Sequence, residues 1–179
     1  IAVAIENELK ELDETAEVEI YSGQNDQSTL MQIGKQAVTD GADVIIPIGT
    51  LAAQTMVVAS EDTEIPVVYA TISDPEAASL TGIDRVTGTS DALNTTQFVD
   101  MMLKQNPNLQ TVGLLYSNSE ANSQKPIAEV KKILDEKKIK YIEATANTSQ
   151  EVIAAASSLI ASKVDAVFTP TDNVIMSSE

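Results

Sequence analysis

Five apolar stretches of this chain each run into a short loop of small polar residues. The loops are Gly49-Thr50, Thr71-Ile72-Ser73-Asp74-Pro75, Gly88-Thr89-Ser90-Asp91, Ser117-Asn118-Ser119-Glu120-Ala121-Asn122-Ser123 and Thr169-Pro170-Thr171-Asp172-Asn173. Hydroxyls, amides and carboxylates of this kind hold a small polar molecule by hydrogen bonds and charge. Thr50, Ser119 and the helix starts beside them suit an anionic group, because helix N-termini carry unpaired N–H groups and partial positive charge. Asp74, Asp91, Glu120 and Asp172 suit a cationic group such as an ammonium. A zwitterion satisfies both. Taken singly, each residue is an ordinary cap or turn residue: Thr50 before a helix, Asp74 before Pro75 at a helix start, Ser90-Asp91 as a turn, Asp172 before the last helix. Recurrence at five strand exits makes them a candidate binding set.

Bond-breaking chemistry is poorly supplied. The chain has no His and no Cys, which excludes a Ser–His triad, an imidazole base, a Cys nucleophile, disulfides and thiolate metal sites. No phosphate loop of the GxxxxGK[ST] type and no GxGxxG fingerprint occurs. Paired carboxylates serve glycosidases, but these acids stand at capping positions and aromatics make up only 3% of the chain. No Ca²⁺-loop spacing is present. The expectation is a non-enzyme with neither cofactor nor metal.

The elements that must position these loops follow from periodicity. Residues 1–13 have helical spacing, and Val18, Ile20 and Tyr21 alternate as a short strand. Asp26 or Ser28 caps a helix through Val38. Residues 43–48 form a strand apolar on both faces, as buried parallel strands are. Thr50 caps a helix over 51–60, residues 66–70 form a strand, and 83–87 are extended. The pattern then restarts: helix 94–105, strand 111–116, helix 120–137, strand 139–144, a helix capped by Ser149, strand 164–168 and a helix begun by Asp172 or Asn173. Gly41-Ala42-Asp43-Val44-Ile45-Ile46-Pro47 echoes Lys163-Val164-Asp165-Ala166-Val167-Phe168-Thr169-Pro170. Repeated βα units of this kind predict an α/β fold with two Rossmann-like lobes and parallel sheets. The lobes are expected over 1–89 and 90–179, against the alternative of one continuous sheet. Ligands of such sheets bind outside the carboxyl ends of the strands, where the polar loops lie.

With 179 residues and 43% hydrophobic content the chain can bury a core of Ile, Val, Leu and Ala. A formal charge of −16 argues against nucleic acid and anionic lipid as partners. No apolar run approaches the roughly 20 residues of a membrane span.

The ordered set of loops resembles a known family. Gly49-Thr50-Leu51-Ala52-Ala53-Gln54, Thr71-Ile72-Ser73-Asp74-Pro75, Gly88-Thr89-Ser90-Asp91, Glu120-Ala121-Asn122-Ser123 and Pro170-Thr171-Asp172-Asn173 are similar, in order and spacing, to the ABC-transporter solute-binding proteins of the tryptophan/tyrosine-type group. Gln24-Asn25-Asp26-Gln27-Ser28-Thr29-Leu30 also matches an early segment of that group. The resemblance implies a type I periplasmic-binding-protein fold, with two lobes, a hinge and closure on a ligand. It implies an extracytoplasmic protein, periplasmic or lipid-anchored at the outer face of the membrane. Such a protein delivers an amino acid, often aromatic, to the transmembrane subunits of a permease. It places Thr50, Ser73, Asp74, Ser90, Asp91, Glu120, Asn122, Thr171, Asp172 and Asn173 at or near the cleft. Against that pattern the chain is expected to lack a first strand ahead of Ile1 and the part that returns to the first lobe. A monomer is the expected state. The alternative reading is a ligand-sensing regulatory domain of the same fold. Tyr69, Tyr116 and Phe168 lie near strand exits and are expected in the core or at the rim of the cleft.

Overall fold

The computed structural model describes residues 1–178, and the chain divides into two units, one over Ile1–Ser90 and one from Asp91 onward. The first unit opens with α1 (Ala2–Leu12), an amphipathic helix that buries none of its residues. Val18–Tyr21, expected as a strand, forms none, and Ile20 and Tyr21 are exposed. Alternation supplies a strand pattern, but a strand needs a neighbour, and none of the described strands pairs here. Helix α2 (Gln27–Thr39) starts where the Asp26 carboxylate accepts the Thr29 N–H at 2.7 Å.

Residues 43–48 run parallel to β1 (Val67–Ile72), with bridges at Ile45–Val67 and Ile48–Ala70 rather than a full strand. The ladder goes from Ile45 N–H to the Pro66 carbonyl, Val68 N–H to Ile45, Ala70 N–H to Pro47, and Gly49 N–H to Ala70. The rung missing from this alternation is the one Pro47 would donate, and proline has no N–H. Helix α3 (Thr50–Ala59) follows at once. A parallel partner, β2 (Val86–Ser90), flanks β1 on its other side.

Helices α2 and α3 pack closely because Gly34 faces Ala59. A Cβ at Gly34 would lie 2.5 Å from the Ala59 Cβ. Leu30, Ile45, Met56 and Val67 form the core beneath them. The chain's single arginine fastens this layer. The Arg85 guanidinium donates to the Ser60 hydroxyl at 2.9 Å, the Ile65 carbonyl at 3.2 Å and the Val57 carbonyl at 3.0 Å. It thus caps the C-terminal turn of α3, where carbonyls lack partners. Arg85→Ala is expected to cost about 1–3 kcal/mol in urea unfolding. Arg85→Lys should fall between, because an ammonium does not reproduce the planar fork.

The second unit starts with α4 (Thr95–Gln105), capped by Asn94. Strand β3 (Thr111–Tyr116) is central. It is parallel to β4 (Lys140–Thr145) on one side and to β5 (Ala166–Phe168) on the other, giving the order β4-β3-β5. Between them run α5 (Ala121–Glu136) and α6 (Ser149–Ala161), and α7 (Asn173–Met176) follows β5. Strand side chains alternate between faces, so β3 feeds two cores. Val112, Leu114 and Tyr116 pack with Val99, Ile127, Val130 and Leu134 from α4 and α5. Leu115 packs with Val152, Leu159 and Ile175 from α6 and α7. Helix α6 is capped by Thr148, whose side chain accepts from Glu151 N–H, not by Ser149 as expected. Tyr69, Tyr116 and Phe168 are buried core residues. Among the described residues, no helix is long and apolar enough to cross a membrane.

Candidate functional site

Because the strands within each unit are parallel, their exits gather at one end of each sheet. In the first unit the Gly49 N–H bonds the Ala70 carbonyl, which sets Thr50 beside the end of β1, and Ser90 pairs with Ile72. Thr50, Ser73, Asp74 and Ser90 therefore share that end. The cap of α3 is Gly49, not Thr50: Gly49 has φ +89°, which favours glycine, and Thr50 is the first helical residue, 5% exposed. Thr71, β-branched, holds φ +57° where β1 breaks register. Such a conformation is costly for a β-branched residue. It turns the chain into Ser73, which is buried, and Asp74. Asp74 was expected to cap a helix. It heads a single turn instead, its carboxylate accepting the Ala77 N–H at 3.1 Å and its carbonyl the Ala78 N–H at 3.0 Å. Asp91 opens the second unit and is exposed.

In the second unit two carboxylates stitch the exit loops of β3 and β5 together. Asp172 is fully buried, 0% exposed. One of its oxygens accepts the Ser117 N–H at 2.6 Å and the Ser123 hydroxyl at 2.6 Å, while the other accepts the Ile175 N–H at 3.1 Å. The end of β3, the first turn of α5 and the start of α7 are thereby fixed to one residue. Glu120 lies half-buried beside it. One Glu120 oxygen accepts from the Asn173 N–H at 2.9 Å and its amide at 3.0 Å, and the other from the Val174 N–H at 3.1 Å. Asn122, also buried, donates its amide to the Thr171 carbonyl. Both carboxylates are thus engaged by the protein's own donors, so they position the loops, in which Ser119 and Thr171 are exposed and Asn173 is half-buried.

Burial pushes the Glu120 carboxyl above its usual range, against the pull of the Asn173 and Val174 N–H groups and with the nearby Asp172 charge adding to the rise. A raised folded pKa means that the Glu120 contribution is complete below the ordinary carboxylate value and is lost as pH rises through the folded one. Relative to wild type, Glu120→Gln should therefore gain stability as pH climbs through the interval above 4.5. Melting curves in matched buffers measure this; a constant difference across that interval would contradict it. Elsewhere in the unit the Tyr116 hydroxyl donates to Glu143 at 2.7 Å, and Lys131 pairs with the same carboxylate at 2.6 Å. Burial, then that carboxylate, push the Tyr116 phenol up to about 12.

Two participants were not singled out from sequence, although both stand in a flagged loop. Ser117 is buried and its hydroxyl also reaches Asn147 Oδ1 at 2.9 Å and Ser119 Oγ at 2.8 Å. Ser123 is buried against Asp172. Asn147 follows β4, whose polar exit was not flagged. The readable signal was a run of small polar residues at a strand exit continuing into a first helical turn.

The chain is 31% identical over 166 residues to the tyrosine-binding protein of Clostridioides difficile strain R20291, covering 90% of this chain and 47% of that protein. Among solved structures it resembles the Streptococcus pneumonia ABC domain in complex with L-Trp, at 31% identity and TM-score 0.88, over 99% of this chain and 62% of that one. A conserved domain protein from Vibrio cholerae gives 28% identity and TM-score 0.88, over 99% and 60%. A ligand-free, open substrate binding protein with adhesive properties from Clostridium difficile gives 30% identity and TM-score 0.61, over 99% and 61%. The chain spans about half the length of the curated relative and about three fifths of the solved ones. These structures share its α/β architecture with parallel sheets. The family model for ABC transporter substrate binding proteins matches residues 3–178, and the chain belongs to that family.

Proposed function

We propose that this chain is the extracytoplasmic solute-binding component of an ABC importer and takes a zwitterionic amino acid, of the aromatic kind, between its two units by closing on it. The carrying observation is the family match over residues 3–178, joined to similarity with an L-Trp complex and a tyrosine-binding protein. Each unit also presents a set of polar strand exits suited to one part of such a ligand. Thr50, Ser73, Asp74 and Ser90 make the contacts from the first unit, and Asp91, Asn122, Thr171 and Asn173 from the second. Glu120 and Asp172 hold the second set in place. Binding to both sets at once shifts an open–closed equilibrium by the difference in affinity for the two states. The protein acts as a monomer, uses no cofactor and hands its ligand to permease transmembrane subunits.

A melting-temperature screen against the twenty amino acids tests this reading. A ligand at a hundredfold excess over Kd stabilises the protein by about 2.7 kcal/mol. Tryptophan, tyrosine or phenylalanine should give the largest rise. A panel in which no aromatic amino acid shifts the transition would contradict the ligand class.

A further inference from the structure

Six non-glycine residues among those described hold a left-handed φ. Five of them, Gln24, Asn25, Ser79, Lys138 and Lys163, lie in turns. Thr71 is the sixth, at φ +57°, and it alone is β-branched and alone lies within a strand. The left-handed region crowds Cβ against the backbone, and a branched side chain there is rare and strained.

The strain belongs to a bulge. Between the pairs Tyr69–Gly88 and Ile72–Ser90, strand β1 carries two residues, Ala70 and Thr71, where β2 carries one, Thr89. Ala70 is held from the other side: its N–H donates to the Pro47 carbonyl at 2.9 Å, and its carbonyl accepts the Gly49 N–H at 3.1 Å. A bulge bends its strand and re-aims a side chain. Ile72 is thereby returned to the core, 0% exposed, in the same cluster as Tyr69 three residues earlier. Strict alternation would have put residue 71 in that place.

None of this needs a side chain at position 71. Glycine adopts a left-handed φ at little cost, so the backbone course into Ile72 and Ser73 would form with less strain without the threonine. What the threonine adds is a hydroxyl. Thr71 is half-buried, and its hydroxyl makes no hydrogen bond among the described residues. A hydroxyl in that position has lost part of its hydration without a protein partner in exchange. The Ala70–Gly49 bond sets it next to the start of α3, and two residues on stands Ser73.

We infer that Thr71 is a ligand-contacting residue, its backbone strained by the bulge and its hydroxyl bonding a polar atom of the bound amino acid, an assignment that rests on the amino-acid ligand proposed above. Binding offsets the strain, which in the free protein remains as a loss of stability. Stability and affinity therefore respond to different parts of this side chain: stability to the branched Cβ, affinity to the hydroxyl.

Three variants separate the two. Thr71→Val keeps the branching and removes the hydroxyl, Thr71→Ser keeps the hydroxyl and sheds the branch, and Thr71→Gly removes both. L-tryptophan and L-tyrosine are titrated into the chain and into each variant, beside urea unfolding without ligand. Thr71→Val should lose about tenfold in affinity at an unfolding midpoint near that of the wild type. Thr71→Gly should lose at least as much while unfolding at higher urea. Thr71→Ser should restore most of the affinity that Thr71→Val loses. A Thr71→Val variant that binds like the wild type, or affinities that simply follow the unfolding midpoints, would overturn the inference and leave the amino-acid reading standing. A wild-type chain that binds neither amino acid would overturn both.

Discussion

Asp172→Ala is expected to destabilise the second unit by about 3–5 kcal/mol and to weaken amino-acid binding by about a hundredfold or more. The substitution removes one carboxylate and strands three donors: the Ser117 N–H, the Ser123 hydroxyl and the Ile175 N–H. All three residues are buried, so water does not replace the acceptor without a rearrangement. Each unsatisfied buried donor costs about 1–3 kcal/mol, and a hydroxyl that can rotate to a new partner sits at the low end. The cap of α7 is lost with the carboxylate. Asp172→Asn keeps the shape but turns an amide N–H towards one of the donors, and should cost about 1–3 kcal/mol. Urea unfolding measures the first effect, and calorimetry at a temperature where both variants stay folded measures the second. A folded Asp172→Ala variant with wild-type affinity would show that the loop platform does not govern binding.

Gly88→Ala is the second large effect. A Cβ built at Gly88 lies 2.0 Å from the Tyr69 carbonyl oxygen and 2.4 Å from the Tyr69 ring. The nearest atom is backbone, paired in register across β1 and β2, so no side-chain rotation relieves the clash. Strand β2 has to move off β1 instead. Overpacking of this kind costs about 1–3 kcal/mol, and each ladder bond given up adds about 1 kcal/mol, for a total of about 2–4 kcal/mol. Displacing β2 also moves Ser90 away from the end of β1, so affinity should fall even where the variant remains folded. A unit with unchanged unfolding midpoint would mean that β2 shifts freely and that the Tyr69–Gly88 contact imposes nothing.

Much of this was legible in the chain because the relevant physics is local. The cap at Asp26 and the apolar stripe of α5 are patterns within one helix. The five polar loops are likewise contiguous, and the parallel arrangement that gathers them follows from repeated βα units. What escaped depends on residues far apart in sequence. Val18–Tyr21 alternates like a strand but becomes one only with a neighbour. Pro47 leaves a strand pattern intact while deleting a rung from it. Gly49, rather than Thr50, caps α3 because the turn needs a left-handed residue ahead of the helix. Asp172 reads from its sequence as a cap of the last helix or as a counter-charge for a ligand; the cap forms, and donors from Ser117 and Ser123, far away in sequence, enclose the carboxylate as well. Its role follows from where β3, α5 and α7 converge, which no single segment encodes.

Isothermal titration of L-tryptophan and L-tyrosine into the chain, beside tryptamine and indole-3-propionate, tests the central claim most directly. A site that reads both ends of a zwitterion should bind an aromatic amino acid at micromolar Kd or tighter, about −8 kcal/mol. It should bind each analogue lacking one charged group about a hundredfold more weakly, since the unmatched polar partners stay buried and unpaired. Heats showing no binding of either amino acid, or equal affinity for the analogues, would contradict the assignment of the two strand-exit sets to the two ends of an amino acid.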